Sequence, residues 1–253
     1  MTGEVLCYVY AIVDASAPPL EAVPGVDGTD LHTVEVSELA AVVSLVDRGR
    51  FNAESLQAAL ADLGRLEQIA RAHHRVIETI ARQTPVAPLR MATILWDEPG
   101  VVALLEANRS SFTQVLERIR GREEWGVKAY ATAIEPPEQA GPVASAGGPG
   151  TAYLARQRAQ RDRSRLANQL RADLAQQLHE VLTSHSVDAR LYPTQDPRLS
   201  GRTEPMALNA AYLVPAGDVE SLRVAAAEFE CPSLRVELTG PWAPYSFANL
   251  DQL

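Results

Sequence analysis

His73 and His74 stand side by side, Glu78 follows four residues later, and Arg90 interrupts the otherwise apolar run PVAPLRMATIL at Pro85–Leu95. Residues four apart share one face of a helix, so His74 and Glu78 can meet, and with His73 they offer donors to a metal ion. A guanidinium close by matches the fork of a carboxylate and could hold an anionic substrate. Together His73, His74, Glu78 and Arg90 would make a small-molecule-binding or metal-dependent enzyme site. The competing reading is structural. Zinc takes three or four ligands, the H-E-x-x-H order is absent, and His32, His179 and His185 supply no local pair to complete a set. His73 also falls in the register of an apolar stripe, as a packed histidine would. A buried or half-buried Arg90 would need an Asp or Glu from a neighbouring helix, so a structural ion pair is favoured over a ligand site.

Other chemistries find even less support. No serine sits in G-x-S-x-G, and neither Cys7 nor Cys231 lies beside a histidine in sequence. Gly147-Gly148-Pro149-Gly150 precedes a helical stretch but lacks the lysine of a phosphate loop and the dinucleotide-binding spacing. No catalytic residue, cofactor or metal is therefore assigned. Two cysteines, one near each end of the chain, read as buried thiols rather than a disulfide framework. The one basic concentration, ARQRAQRDRSR, holds Arg156, Arg158, Arg161, Arg163 and Arg165. Its arginines go round much of a helix and the whole chain carries a formal net charge of −9, so a solvated helix or an acidic protein partner is favoured over nucleic acid or an anionic membrane. Near the end, TGPWAPYSFA (Thr239–Ala248) combines restrictive Pro241 and Pro244 with the large apolar rings of Trp242, Tyr245 and Phe247. This predicts an extended, low-entropy arm docked on the protein itself or on a partner, docking on the protein itself being favoured.

These residues need elements to position them. Val5–Val13 is apolar on both faces and predicts a central strand; Leu31–Val36 and Ala40–Val46 follow as a hairpin. From about Asn52 to Arg82 apolar residues recur at three and four (Leu56, Leu60, Leu63, Leu66, Ala70, His73, Ile77, Ile80), the stripe of a long amphipathic helix that Pro85 and Pro88 end. Asp97 caps a second helix, with Pro99 in its first turn, running to Gly121. A strand over Glu124–Ile134 leads into Glu135–Gly150, a flexible loop by composition. Tyr153–Leu182 is then a long helix with Leu154, Leu166, Leu170, Leu174, Leu178 and Val181 on one side, followed by strands at Val187–Tyr192 and Met206–Val214, a helix at Asp218–Glu230 and a strand at Leu234–Leu238. The expected fold is α+β with two mixed domains, residues 1–121 and 122–239, the second in the β-α-β-β-α-β order of a ferredoxin-like domain, and a tail at 240–253. At 253 residues and 46% hydrophobic there is ample chain for such cores. With no cationic leader and no apolar run near the ~18 residues of a membrane helix, the expected location is the cytoplasm.

YVYAIV at Tyr8–Val13, the histidine-bearing helix followed by PVAPLRMATI, REEWGVKAYA at Arg122–Ala131, YLARQRAQRDR at Tyr153–Arg163, and TGPWAPYSFA resemble the gas vesicle protein L/F family in content and order. The tail and the segment with Trp125 and Gly126 are the most specific. Pro85, Pro88, Arg90, Trp125, Gly126, Gly240, Pro241 and Pro244 mark the family motifs as structural positions. Where the family pattern reads P-L-R-F-G-T, this chain has Pro88-Leu89-Arg90-Met91-Ala92-Thr93, losing an aromatic ring and a glycine. The resemblance implies a non-enzymatic accessory protein of gas vesicle assembly, associated with the vesicle. It would bind the hydrophobic shell protein and other accessory proteins, and take no cofactor, nucleic acid, lipid membrane or small-molecule substrate. Arg156, Arg158, Arg161, Arg163, Trp242, Tyr245 and Phe247 are the expected partner-binding residues.

Overall fold

The computed structural model describes residues 5–55, 57, 62–132, 149–195 and 204–248, without the side chains of 149–156 and 163. The fold is α+β, with two antiparallel sheets and several helices. The chain divides into two compact units, one holding the residues up to Glu124 together with those from Pro241 onward, the other Trp125–Gly240.

In the first unit β1 (Val5–Asp14) lies between β3 (Leu39–Asp47) and two short strands, β4 (Ala87–Pro88) and β5 (Ile94–Leu95), while β2 (Leu31–Val36) pairs with the far side of β3. The central position explains why β1 is apolar on both faces: Leu6 to Val13 are all at most 6% exposed. The register against β3 slips between Val9 and Ala11, a bulge at Tyr10. A bulge shifts the side-chain alternation by one, so Leu6, Tyr8 and Tyr10 and then Ala11 and Val13 enter the same core.

A short helix, α1 (Arg48–Phe51), places Phe51 in that core, and α2 (Leu63–Ala81) covers it with Ile69, His73, Val76, Ile77 and Ile80. The helix expected from Asn52 onward is interrupted: residues 53–55 and 57 are helical, but Asp62 is not, and α2 begins at Leu63. Asp62 caps it, its carboxylate accepting from the amides of Gly64 and Arg65. Leu63 belongs to that first turn and is 78% exposed, while Leu56 and Leu60 lie outside the described residues. The second expected helix is two: α3 (Glu98–Ala107), capped by Asp97 on the Gly100 amide at 2.9 Å, and α4 (Arg109–Ile119). Asn108, at φ −117° and ψ 19°, breaks them apart, and its side chain donates back to the Leu104 carbonyl at 3.0 Å, beside the bond its own amide makes to that oxygen. Gly121 at φ +67° then turns the chain into β6 (Arg122–Ala131).

The second unit follows the order β6, α5 (Pro149–Ser184), β7 (Asp188–Leu191), β8 (Met206–Pro215), α6 (Val219–Glu228), β9 (Leu234–Trp242), with strands ordered β7-β8-β6-β9 across its sheet. Trp125, Val127, Leu178, Leu182, Leu208, Tyr212, Leu222 and Leu234 fill its core. Among the described side chains of α5, those that are buried lie in its later part. Leu178 and Leu182 are buried, whereas Leu166 and Leu170, expected on the inner side, are 63% and 51% exposed. The helix of 36 residues is about 54 Å long and the ten-residue strand β8 about 33 Å, so the helix outruns the sheet that could cover it. Most of the loop expected over Glu135–Gly150 lies outside the described residues.

Candidate functional site

The histidine pair divides between two environments. His73 is 4% exposed and fully engaged: its Nδ1 is 3.2 Å from the Tyr8 hydroxyl and its Nε2 is 3.3 Å from the Leu89 carbonyl. The Leu89 carbonyl can only accept, so the proton of neutral His73 sits on Nε2, and the Tyr8 hydroxyl, which accepts from the Ala92 amide at 2.9 Å, donates its hydrogen bond to Nδ1. Tyr10 stacks on the imidazole with centroids 5.6 Å apart, and its hydroxyl accepts from the Val26 amide and meets Ser44 Oγ at 2.9 Å. Burial disfavours the charged imidazole and pulls its pKa down to about 4, so His73 is neutral near pH 7. Burial likewise pushes the Tyr8 hydroxyl well above its ordinary pKa. Every hydrogen-bonding position of this histidine is committed to the fold.

What it holds is the run after Pro85. Leu89 donates its amide to the Tyr10 carbonyl at 2.9 Å, Val9 donates to the Thr93 carbonyl at 2.9 Å, and between them residues 90–92 bulge outward. Thr93 closes the bulge, its amide and its hydroxyl both donating to the Arg90 carbonyl. The Arg90 side chain is exposed rather than buried or half-buried as expected; the apolar context in sequence belongs to its neighbours Leu89 and Pro88, which are buried. Ala92 adopts φ +64°, the left-handed region that disfavours a Cβ, at the position where the family pattern has glycine. Ala92→Gly should therefore stabilise the protein by about 0.5–1 kcal/mol, the relief of backbone strain outweighing the added freedom of the unfolded chain. Equilibrium urea unfolding of the two proteins checks this.

His74 faces the other way. Its Nε2 is 3.2 Å from Glu78 Oε1, its ring stacks on Tyr245 with centroids 6.1 Å apart and leans on Trp242 at 6.5 Å. Trp242 is 44% exposed and Tyr245 36%. The segment expected to be an extended arm continues β9 through Trp242 and then folds into a turn, with the Phe247 and Ala248 amides donating to the Pro244 carbonyl. Two anchors hold the turn. Phe247 is 1% exposed, and buried Glu124 accepts from both the amide (2.9 Å) and the hydroxyl of Ser246. Phe247 therefore faces inward and is unavailable to a partner, unlike Trp242 and Tyr245.

The four residues His73, His74, Glu78 and Arg90 thus do not converge, and among the described residues no group of three or more His, Cys, Asp or Glu stands ready for a metal. Arg158 and Arg161 are exposed on α5; the side chains of Arg156 and Arg163 lie outside the described residues. Trp125 is a core residue of the second unit with Arg223 over its ring at 4.6 Å, and the Thr239 hydroxyl donates to the Gly126 carbonyl. Gly240 takes φ +142° just before Pro241. Tyr8, Tyr10, Glu124 and Ser246 were not singled out by sequence. Two tyrosines spaced by two in YVYAIV were the available signal, because buried hydroxyls on one strand face must find partners.

The family model for the gas vesicle synthesis proteins GvpL/GvpF matches residues 6–249. The chain belongs to the GvpL/GvpF family. Gas vesicle protein L of a Streptomyces species is 39% identical to this family member over 258 residues, covering 100% of this chain and 96% of the relative. Gas vesicle protein F1 of Halobacterium salinarum is 23% identical, covering 96% and 92%. Crystal structures of GvpF share the fold: that from Microcystis aeruginosa gives a TM-score of 0.65 at 17% identity over 97% of this chain and 99% of the other. The Anabaena protein gives 0.61 at 19% identity, over 98% and 97%. Among the described residues no helix of this GvpL/GvpF member is long and apolar enough to cross a membrane.

Proposed function

We propose that this protein is a non-enzymatic assembly factor of the gas vesicle that binds the small hydrophobic shell protein before it polymerises and helps nucleate the shell. Membership of a family of gas vesicle synthesis proteins over residues 6–249 supports the pathway. The observation that carries the binding surface is the pair of half-exposed rings, Trp242 and Tyr245, seated on His74 and held by the buried Phe247 and Ser246–Glu124 anchors. Rings fixed before contact lose little freedom on binding, and aromatic side chains of this kind dominate interface energetics. The arginine-rich stretch of α5, in which Arg158 and Arg161 are exposed and which also holds Arg156 and Arg163 in sequence, offers a second surface for a protein partner other than the shell protein. Other vesicle accessory proteins are further partners, and the site of action is the cytoplasm at the growing vesicle.

We further propose that the second unit is a ferredoxin-like domain, which the element order β-α-β-β-α-β and the strand order β7-β8-β6-β9 support, and that the units act as two domains. The test is capture of the co-expressed shell protein by the tagged full chain. Trp242→Ala with Tyr245→Ala should weaken capture by about tenfold or more, as loss of a central aromatic pair does. Capture equal to wild type would remove this surface from the proposal.

A further inference from the structure

Two surfaces of the second unit are complementary to each other. Arg158, Arg161 and Arg165 recur at spacings of three and four, so they form a ridge along one side of α5, and all three are exposed. Further along, α5 meets α6 in an open groove of about 370 Å³ lined by Val181, His185, Glu220, Val224, Ala225 and Glu228 among others. Its rim is acidic and its floor apolar: Glu220 and Glu228 are exposed, and Val224, 53% exposed, stands between them on the same face of α6.

The spacings match. From the 1.5 Å rise per residue, Glu220 and Glu228 stand about 12 Å apart along α6, and Arg158 and Arg165 about 10.5 Å apart along α5. Arginine stems can lie over Val224 while their guanidiniums reach the carboxylates. The ridge cannot enter the groove of its own chain. Both lie on α5, and from Val181 back to Arg165 and Arg158 the helix measures about 24 to 35 Å.

We propose that the groove between α5 and α6 receives the arginine ridge of a second copy of this chain. Because ridge and groove are different patches, the contact is head-to-tail. Such contacts propagate into rows of copies unless the rotation closes them into a ring. The arginine ridge then serves self-association and Trp242 and Tyr245 remain for the shell protein.

The full chain alone tests this, so its outcome is independent of shell binding. In sedimentation velocity the mean mass should rise with concentration up to about 100 µM, where a modest interface becomes populated. It should fall back to that of the single chain at about 0.5 M salt. Arg158→Glu/Arg161→Glu/Arg165→Glu and Glu220→Arg/Glu228→Arg should each stay monomeric. An equal mixture of the two should recover association, because the native ridge of one meets the native groove of the other and the two reversed surfaces also carry opposite charge. Should either multiple variant fold poorly, Arg161→Glu and Glu228→Gln alone should each weaken association about tenfold, the loss of one charged hydrogen bond. A wild-type chain monomeric throughout, or association that survives both sets of substitutions, would overturn the proposal.

Discussion

Acidification from pH 6.5 to about 4 should cost the first unit about 3 kcal/mol of stability, and His73→Gln should remove most of that dependence. The folded imidazole titrates at about 4 because burial disfavours its charge, against an ordinary value of 6.5. Between these values the unfolded chain binds a proton that the folded chain refuses. The contribution is therefore complete above pH 6.5 and is lost as pH falls towards 4. Glutamine stays neutral throughout and can still donate to the Leu89 carbonyl, so the variant should be weaker at neutral pH yet flatter with pH. Glu38, pulled down to about 2 by hydrogen bonding to Arg109, acts in a lower window that opens only beneath its ordinary 4.5. The measurement is hydrogen exchange of β1 amides, such as that of Val9, in wild type and variant at several pH values. Parallel curves for the two proteins would defeat the argument.

Phe247→Ala should destabilise the protein by about 3–4 kcal/mol, the range for truncating a large buried ring, while Trp242→Ala should cost under about 1 kcal/mol. Both residues belong to one aromatic motif, yet one is 1% exposed and the other 44%. The functional readout should invert the order of directness. Trp242→Ala should weaken shell capture in a protein of normal stability, and Phe247→Ala should weaken it only by loosening the seat of the turn. Chemical denaturation combined with capture separates the two. Equal destabilisation by both substitutions would mean that Phe247 is not the anchor.

The strands were legible because their signal is local. β2 matches its apolar and polar alternation, and β1 is apolar on both faces because it is central. Features that depend on distant contacts were not. The hydroxyl that orders His73 comes from Tyr8, 65 residues away, and Glu124 finds Ser246 across 122 residues. Nothing in a periodicity of three and four reports either pairing. The same periodicity put Leu166 and Leu170 in a core, since it registers a stripe without registering where the sheet beneath ends. The break at Asn108 carries neither glycine nor proline, so only its back-bonding side chain marks it. Ala92 is the converse case: the missing family glycine pointed to a position whose backbone does demand one.

The way the two units divide the chain also fixes an order of events during synthesis. Residues 125–240 leave the ribosome as an uninterrupted stretch, whereas the core of the first unit includes Ala243, and the turn that carries Phe247 follows it. The second unit can thus mature while the first still lacks a piece of its interior. Trp242 and Tyr245 gain their seat on His74 only when the segment that follows the second unit joins the first, so the paired rings form after the whole of residues 125–240 has been made.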